Sequence, residues 1–220
     1  GRAALAFAEF IEAYPDAWYI DDVKFDYAEA LYGAGDPDGA ALVYQELILD
    51  HPETSTERRA EAQLAEIVGD LSPEVAADVT ARSDVERVRQ ARVYFGRHRS
   101  ETVIGLLEEV VERANAGSTV YCEANWLSGK SYSKLRDHGD AVPYYERVVA
   151  SCDDDLRVWA LYNLGRGLWN IDANQRAFDT FEQLWTEHAE HSYADDAMLY
   201  GARVLRNMGR DEEARALLRE

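Results

Sequence analysis

Two stretches near the ends of the chain carry one pattern: residues 7–40 read FAEFIEAYPDAWYIDDVKFDYAEALYGAGDPDGA, and residues 181–214 read FEQLWTEHAEHSYADDAMLYGARVLRNMGRDEEA. They align without a gap. The residues shared at equivalent positions are Phe7 and Phe181, Tyr19 and Tyr193, Asp21 and Asp195, Asp22 and Asp196, Ala28 and Ala202, Leu31 and Leu205, Gly35 and Gly209, and Ala40 and Ala214. This agreement indicates an internal repeat, which is the signature of proteins built from stacked supersecondary units.

The pattern also recurs between these stretches. A small residue is followed four places later by a large apolar residue in Ala3 and Phe7, Ala40 and Tyr44, Val103 and Leu107, Ala141 and Tyr145, Ala177 and Phe181, and Ala214 and Leu218. Twelve residues before five of these pairs comes another small residue: Ala28, Ala91, Gly129, Gly165 and Ala202. Apolar residues spaced three and four apart mark one face of a helix, so each repeat is predicted to contain two helices.

Each helix pair has an apolar face that it cannot bury alone, so neighbouring pairs must stack. No strand-like alternation competes with the helical period. We therefore predict an all-α fold, an α-solenoid of antiparallel helix pairs. Thirteen helices are expected near residues 1–14, 18–33, 37–51, 55–70, 73–82, 84–97, 100–115, 118–136, 140–152, 155–171, 174–188, 192–208 and 211–220.

Capping and turn residues agree with these boundaries. Thr54 with Glu57 and Ser83 with Glu86 have the spacing of capping boxes, and Ser72 precedes a proline at a first helical position. Glycines at three predicted turns within helix pairs are Gly35, Gly139 and Gly209.

The repeat is irregular over residues 53–83. Ala40 and Val103 are 63 residues apart, which is short of two full periods. We predict N-terminal repeats over 1–83 with a degenerate pair at 53–83, and C-terminal repeats over 84–220. The chain begins in a second helix of a pair and stops inside another, so we expect one continuous superhelix that belongs to a longer protein.

Composition excludes several classes of function. The 23 basic and 42 acidic residues leave a net charge of −19, which argues against nucleic-acid binding, because that affinity comes from clustered Lys and Arg. No apolar run approaches the roughly 18 residues of a membrane span. We expect no catalytic residues, cofactor or metal site in this chain, since no phosphate-binding glycine loop, nucleophile elbow or metal-ligand spacing occurs.

The positions of Gly or Ala, Tyr or Leu, and Tyr or Phe resemble the tetratricopeptide repeat over residues 3–52 and 84–220. This resemblance implies a right-handed α-solenoid of tetratricopeptide-like antiparallel helix pairs. Two runs are more specific: GKSYSKLRDHGDAVPYYERVVASCDDDLRVWALYNLGR at 129–166 and HSYADDAMLYGARVLRNMGR at 191–210. They resemble the helical-repeat region of bacterial soluble lytic transglycosylases, periplasmic enzymes that cleave peptidoglycan. The Glu-Ser pair and Gly-Leu-Met-Gln stretch of that family's catalytic domain do not occur in this sequence.

This resemblance implies a non-catalytic scaffold in the periplasm, with a catalytic domain following residue 220 and with a protein or a peptidoglycan strand as partner. The alternative is a tetratricopeptide adaptor for protein–protein interaction in envelope assembly or signalling, with no enzyme attached; a cytoplasmic location suits this alternative equally. The two readings leave open whether the parent protein is an enzyme.

The first helices of tetratricopeptide proteins line a concave face, and the resemblance carries that face over to two helices of this chain. The candidate contact residues are Trp126, Lys130, Lys134, Trp159, Tyr162, Arg166 and Trp169, with Glu123, Ser133 and Asn170 beside them. Aromatic rings with a few cations could hold a peptide or a sugar strand. The same residues would equally serve packing between repeats, with their charged ends in solvent.

The two cysteines form the last candidate pair. Cys122 opens the first helix of a pair and Cys152 closes the second, so antiparallel packing brings the two ends together. A disulfide between them would need an oxidising compartment. Two buried free thiols are the alternative.

Overall fold

The computed structural model describes residues 1–219 and contains only helices there, as predicted. Thirteen α-helices and one short 3-10 helix lie in this part of the chain. They are α1 (Arg2–Ala13), α2 (Ile20–Gly33), α3 (Pro37–Asp50), α4 (Ser55–Ile67), the 3-10 helix (Val68–Asp70), α5 (Pro73–Thr80), α6 (Asp84–Gly96), α7 (Ser100–Arg113), α8 (Thr119–Leu135), α9 (His138–Ser151), α10 (Asp154–Asn170), α11 (Asn174–Glu187), α12 (Tyr193–Asn207) and α13 (Asp211–Leu217).

The predicted caps form the helix ends. The Thr54 hydroxyl accepts a hydrogen bond from the Glu57 amide (3.0 Å), and the Ser72 hydroxyl accepts one from the Val75 amide (3.4 Å). Ser83 and Glu86 complete a capping box, in which the Glu86 carboxylate accepts from the Ser83 amide at 2.7 Å. These side chains satisfy amide groups that have no partner within the helix, which is why the helices begin where they do.

Two of the three predicted turn glycines adopt the left-handed conformation, with φ of 86° at Gly35 and 77° at Gly209. The prediction for Gly139 was wrong, because Gly139 lies in the first turn of α9. Arg136 takes the left-handed position there instead, with φ of 68°. The turn between α8 and α9 therefore forms one residue after α8 ends and uses a non-glycine residue.

The chain divides into two compact units, unit 1 (residues 1–94) and unit 2 (residues 95–220). In unit 1, α3 provides most of the core, and Tyr44 is buried against Phe25 of α2 with a ring-centroid distance of 5.4 Å. The degenerate region 53–83 contains α4, the 3-10 helix and the eight-residue α5. The division at residue 83 stays a prediction.

In unit 2, two predicted small residues of first helices, Gly129 and Gly165, each meet a large ring of the following second helix. A Cβ placed on Gly129 would lie 2.8 Å from the ring of Tyr145, and one on Gly165 would lie 2.6 Å from the ring of Phe181. Both rings are fully buried. The glycines are therefore needed for close approach, and this contact explains the spacing that the sequence repeats.

Candidate functional site

The candidate site lies in unit 2 and is built mainly by the two first helices α8 and α10. The Ser118 hydroxyl caps α8 by accepting from the Tyr121 amide at 3.2 Å. Fully buried residues along α8 and α10 fix both helices against α9, among them Ala124 and Leu161. The faces that remain open carry the residues singled out from the sequence.

Three predicted contact residues, Lys130, Lys134 and Arg166, line one pocket with a volume of about 220 Å³. The other lining residues are Ser133, His138, Asn163, Gly167 and Asn170. The whole chain has only three lysines, and two of them lie in this pocket. The third, Lys24 in unit 1, is neutralised by Glu46 at 2.6 Å.

None of the three pocket cations is in an ion pair with any described residue. The Lys130 ammonium lies 5.3 Å from the ring centroid of Trp126, and the Lys134 ammonium lies 3.5 Å from that of Phe95. The Arg166 guanidinium lies 5.6 Å from the ring centroids of both Tyr162 and Tyr200. Aromatic faces orient these cations without cancelling their charge.

The pocket concentrates positive charge, and the pKa values of its lysines are lowered. Burial, followed by repulsion from Lys134 and Arg166, lowers the pKa of Lys130 below the ordinary lysine value. Burial also lowers the pKa of Lys134. Desolvation and like charges both disfavour the charged ammonium, and a bound anion would compensate for both. The pocket therefore favours a carboxylate or a similar negative group.

The predicted aromatic residues divide into two groups. Trp126 and Trp159 lie next to each other on α8 and α10, with ring centroids 6.1 Å apart, and Trp159 is 42% exposed. Tyr162 and Trp169 both pack on Tyr200 of α12, with centroid distances of 5.7 Å. Trp159 thus offers open surface beside the pocket, whereas Trp126, Tyr162 and Trp169 are partly buried and pack against the core of unit 2.

The structure joins Cys122 and Cys152 in a disulfide, with their Cα atoms 5.8 Å apart. It connects the first turn of α8 to the residue that follows α9. The bond therefore holds together one end of the helix pair whose first helix carries Trp126, Lys130 and Lys134.

Three lining residues were not predicted from the sequence: His138, Asn163 and Gly167. Asn163 is four residues after Trp159 and three before Arg166, so it lies on the same face of the helix as both. The three- and four-residue spacing that indicates the other candidates therefore also indicates Asn163. His138 begins the next second helix, α9, and only the turn at Arg136 brings it back to the pocket. No local sequence signal indicates that position.

Within residues 1–219, no group of three or more His, Cys, Asp or Glu side chains is arranged to hold a metal ion. None of the helices described combines the length and apolar character needed to cross a membrane.

Comparisons with known proteins agree with this architecture. The tetratricopeptide repeat family model matches residues 22–54 and 196–220. No curated protein matches the sequence. The matched residues include parts of both stretches that first revealed the repeat.

Several solved structures share the fold. YrrB, a TPR protein with an unusual peptide-binding site, has a TM-score of 0.55 at 16% identity over 98% of this chain and 90% of its own. MamA of AMB-1 has a TM-score of 0.59 at 17% identity over 83% of this chain and 90% of its own. BtubC of P. vanneervenii has a TM-score of 0.53 at 14% identity over 98% of this chain and 84% of its own. The chain therefore has the fold of a tetratricopeptide-like α-solenoid.

Proposed function

We propose that this protein is a scaffold for protein–protein interaction, and that unit 2 binds an acidic segment of its partner. The observation that carries the proposal is the convergence of Lys130, Lys134 and Arg166 on one pocket without any ion-pair partner among the described residues. In a chain of net charge −19, a cluster of three cations without carboxylate partners is a local positive region that an acidic group can bind.

The neighbouring tryptophans fit the same ligand. Trp159, which lies against Trp126, presents aromatic surface next to the pocket, and such rings are favoured where one side of a contact is apolar and the other is polar. A peptide carboxylate in the pocket would accept charge-assisted hydrogen bonds from the cations, while an apolar side chain of the peptide covers the tryptophans. YrrB, which shares the fold, is itself a peptide-binding TPR protein.

Removing the three pocket charges tests this proposal. A fluorescein-labelled peptide rich in Glu and Trp is expected to bind the wild-type protein. Its affinity for the triple variant Lys130→Gln, Lys134→Gln, Arg166→Gln is expected to be at least about tenfold lower, because each charge-assisted hydrogen bond contributes about 1.5–3 kcal/mol. Fluorescence anisotropy at fixed ionic strength measures the affinity.

The matched control removes three charges of unit 2 that lie outside the pocket, in the variant Arg147→Gln, Arg176→Gln, Arg203→Gln. It has the same net charge as the pocket variant and is expected to retain wild-type affinity. Equal losses in the two variants would attribute binding to bulk charge. Wild-type affinity in the pocket variant would exclude the pocket as the binding site.

The finer proposal is that this scaffold belongs to a periplasmic lytic transglycosylase and positions a catalytic domain on peptidoglycan. Two observations support it: the resemblance over 129–166 and 191–210, and the disulfide between Cys122 and Cys152, which suits an oxidising compartment. We expect the parent gene to encode a signal peptide upstream and a lysozyme-like domain downstream. Further repeats followed by a stop codon would instead favour the adaptor with no enzyme attached.

A further inference from the structure

A second pocket, in unit 1, has a different chemistry from the cation pocket. It has a volume of about 380 Å³ and lies among α3, α4, the 3-10 helix and the segment that follows them, α5 to Arg82. Its apolar lining comes from Ile48, Leu49, Leu64, Ala65, Val68 and Val79; its polar lining comes from Gln45, Glu61, Thr80 and Arg82. Its volume lies within the range of about 300–1,000 Å³ that is usual for ligand pockets.

The pocket arises in the degenerate pair. In regular pairs the second helix has 14 residues and buries a large ring against the first helix, as α9 does with Tyr145 and α11 with Phe181. The second helix of this pair, α5, has only eight residues, and its largest apolar side chains are Val75 and Val79. Apolar surface of α3 and α4 is therefore left without a large buried side chain such as those that α9 and α11 supply in their pairs.

The charges around this pocket are negative. Unit 1 contains 20 acidic and 8 basic residues. Exposed carboxylates on the helices that form the pocket include Glu61 on α4 and Glu74 and Asp78 on α5, and none of these three has an ion-pair partner within the described residues. The pocket's own cation, Arg82, donates to Gln90 at 2.9 Å. An apolar pocket with such surroundings complements a basic partner.

The helical walls of the pocket favour a helical partner over an extended strand. Its walls are largely helical, so their amide and carbonyl groups are already paired and can offer few main-chain hydrogen bonds to an extended strand. A helix satisfies its own backbone groups and presents apolar side chains on one face. We propose that the unit 1 pocket binds a basic, amphipathic helix of a partner protein, with one large apolar side chain of that helix inserted into the pocket.

The test uses three fluorescein-labelled helix-forming peptides of Leu and Lys. The first carries one Trp in the centre of its apolar face, the second has Ala in place of that Trp, and the third has Glu in place of every Lys. The first is expected to bind the full chain with an affinity that falls steeply with added salt. The second is expected to bind at least tenfold more weakly, and the third not to bind.

Filling the pocket from its rim tests the location. Ala65 lines the pocket but is exposed, so Ala65→Trp is expected to occupy the cavity with no loss of helix content by circular dichroism and to weaken binding of the first peptide at least tenfold. Ala62→Trp is the control, because Ala62 is exposed on the same helix and does not line the pocket. If Ala65→Trp disturbs folding, Val68→Lys at the 39% exposed Val68 provides a second variant.

Three results would overturn the proposal. Unchanged peptide affinity in both Ala65→Trp and Val68→Lys would place the peptide elsewhere. Equal affinity for the Trp and Ala peptides would show that binding is electrostatic and does not use the pocket. The occupant would instead be a second copy of this chain if the protein self-associates more strongly with added salt and if both Ala65→Trp and Trp18→Ala abolish that association. Trp18 is included because its side chain is 91% exposed.

Discussion

The variant Phe181→Ala is expected to lower the free energy of unfolding by about 3–5 kcal/mol, the usual cost of deleting a large buried ring. Phe181 is fully buried in the core of unit 2, and its ring centroid lies 5.7 Å from that of Tyr200. Its ring also fills the space opposite Gly165, where a Cβ would lie 2.6 Å away. Native domains are stable by only about 5–15 kcal/mol, so this loss is a large fraction of the total.

Urea unfolding followed by circular dichroism measures the loss. The control is Leu199→Ala in the same unit, at a position that is 39% exposed, with an expected loss of less than about 1 kcal/mol. A Phe181→Ala midpoint close to the control midpoint would contradict the role of this ring in holding the helix pair together. If the midpoint falls while the dependence of the unfolding free energy on urea concentration is unchanged, the substitution has altered stability alone.

Reduction of the disulfide between Cys122 and Cys152 is expected to have an effect of similar size. The two residues are 30 apart in the sequence. In the chain-entropy model, a bond that closes a loop of this length stabilises the folded state by about 3–4 kcal/mol. Adding reductant should therefore lower the thermal midpoint, and intact-mass measurement should show the gain of two hydrogens.

The double variant Cys122→Ser, Cys152→Ser is the control. It is expected to be less stable than the oxidised protein and insensitive to reductant. Two free thiols in air-oxidised wild-type protein, with equal mass and mobility with and without reductant, would contradict the disulfide and support the alternative of free thiols. Equal sensitivity of both proteins to reductant would show that the effect does not come from this bond.

Several residues of the cation pocket could be predicted from the sequence, because helical spacing is regular. Lys130 and Lys134 are four residues apart on α8, and Arg166 occupies the matching place in the next first helix. Residues at this spacing share one face of a helix. His138 escaped prediction because it comes after the turn at Arg136, whose left-handed conformation replaced the one expected at Gly139.

The roles of the aromatic residues could not be predicted from spacing. Trp159 is 42% exposed beside Trp126, whereas Tyr162 packs against the rings of Tyr193 and Tyr200. Trp126 and Tyr162 are 36 residues apart, at equivalent positions of neighbouring repeats, so the repeat alone does not tell which rings surround each of them. Burial is a property of the neighbours as well as of the residue itself.

The sequence by itself determined the class of fold. Its signals were the period of the small and large residues and the caps at Thr54, Ser72 and Ser83. Local spacing specifies both, because they depend on contacts within one or two helices. Only the tertiary structure decided which side chains come together to form pockets at the surface. It brought cations from α8 and α10 into one pocket and left an apolar cavity beside the short α5. Both depend on the lengths and packing of neighbouring helices, and no single helix encodes them.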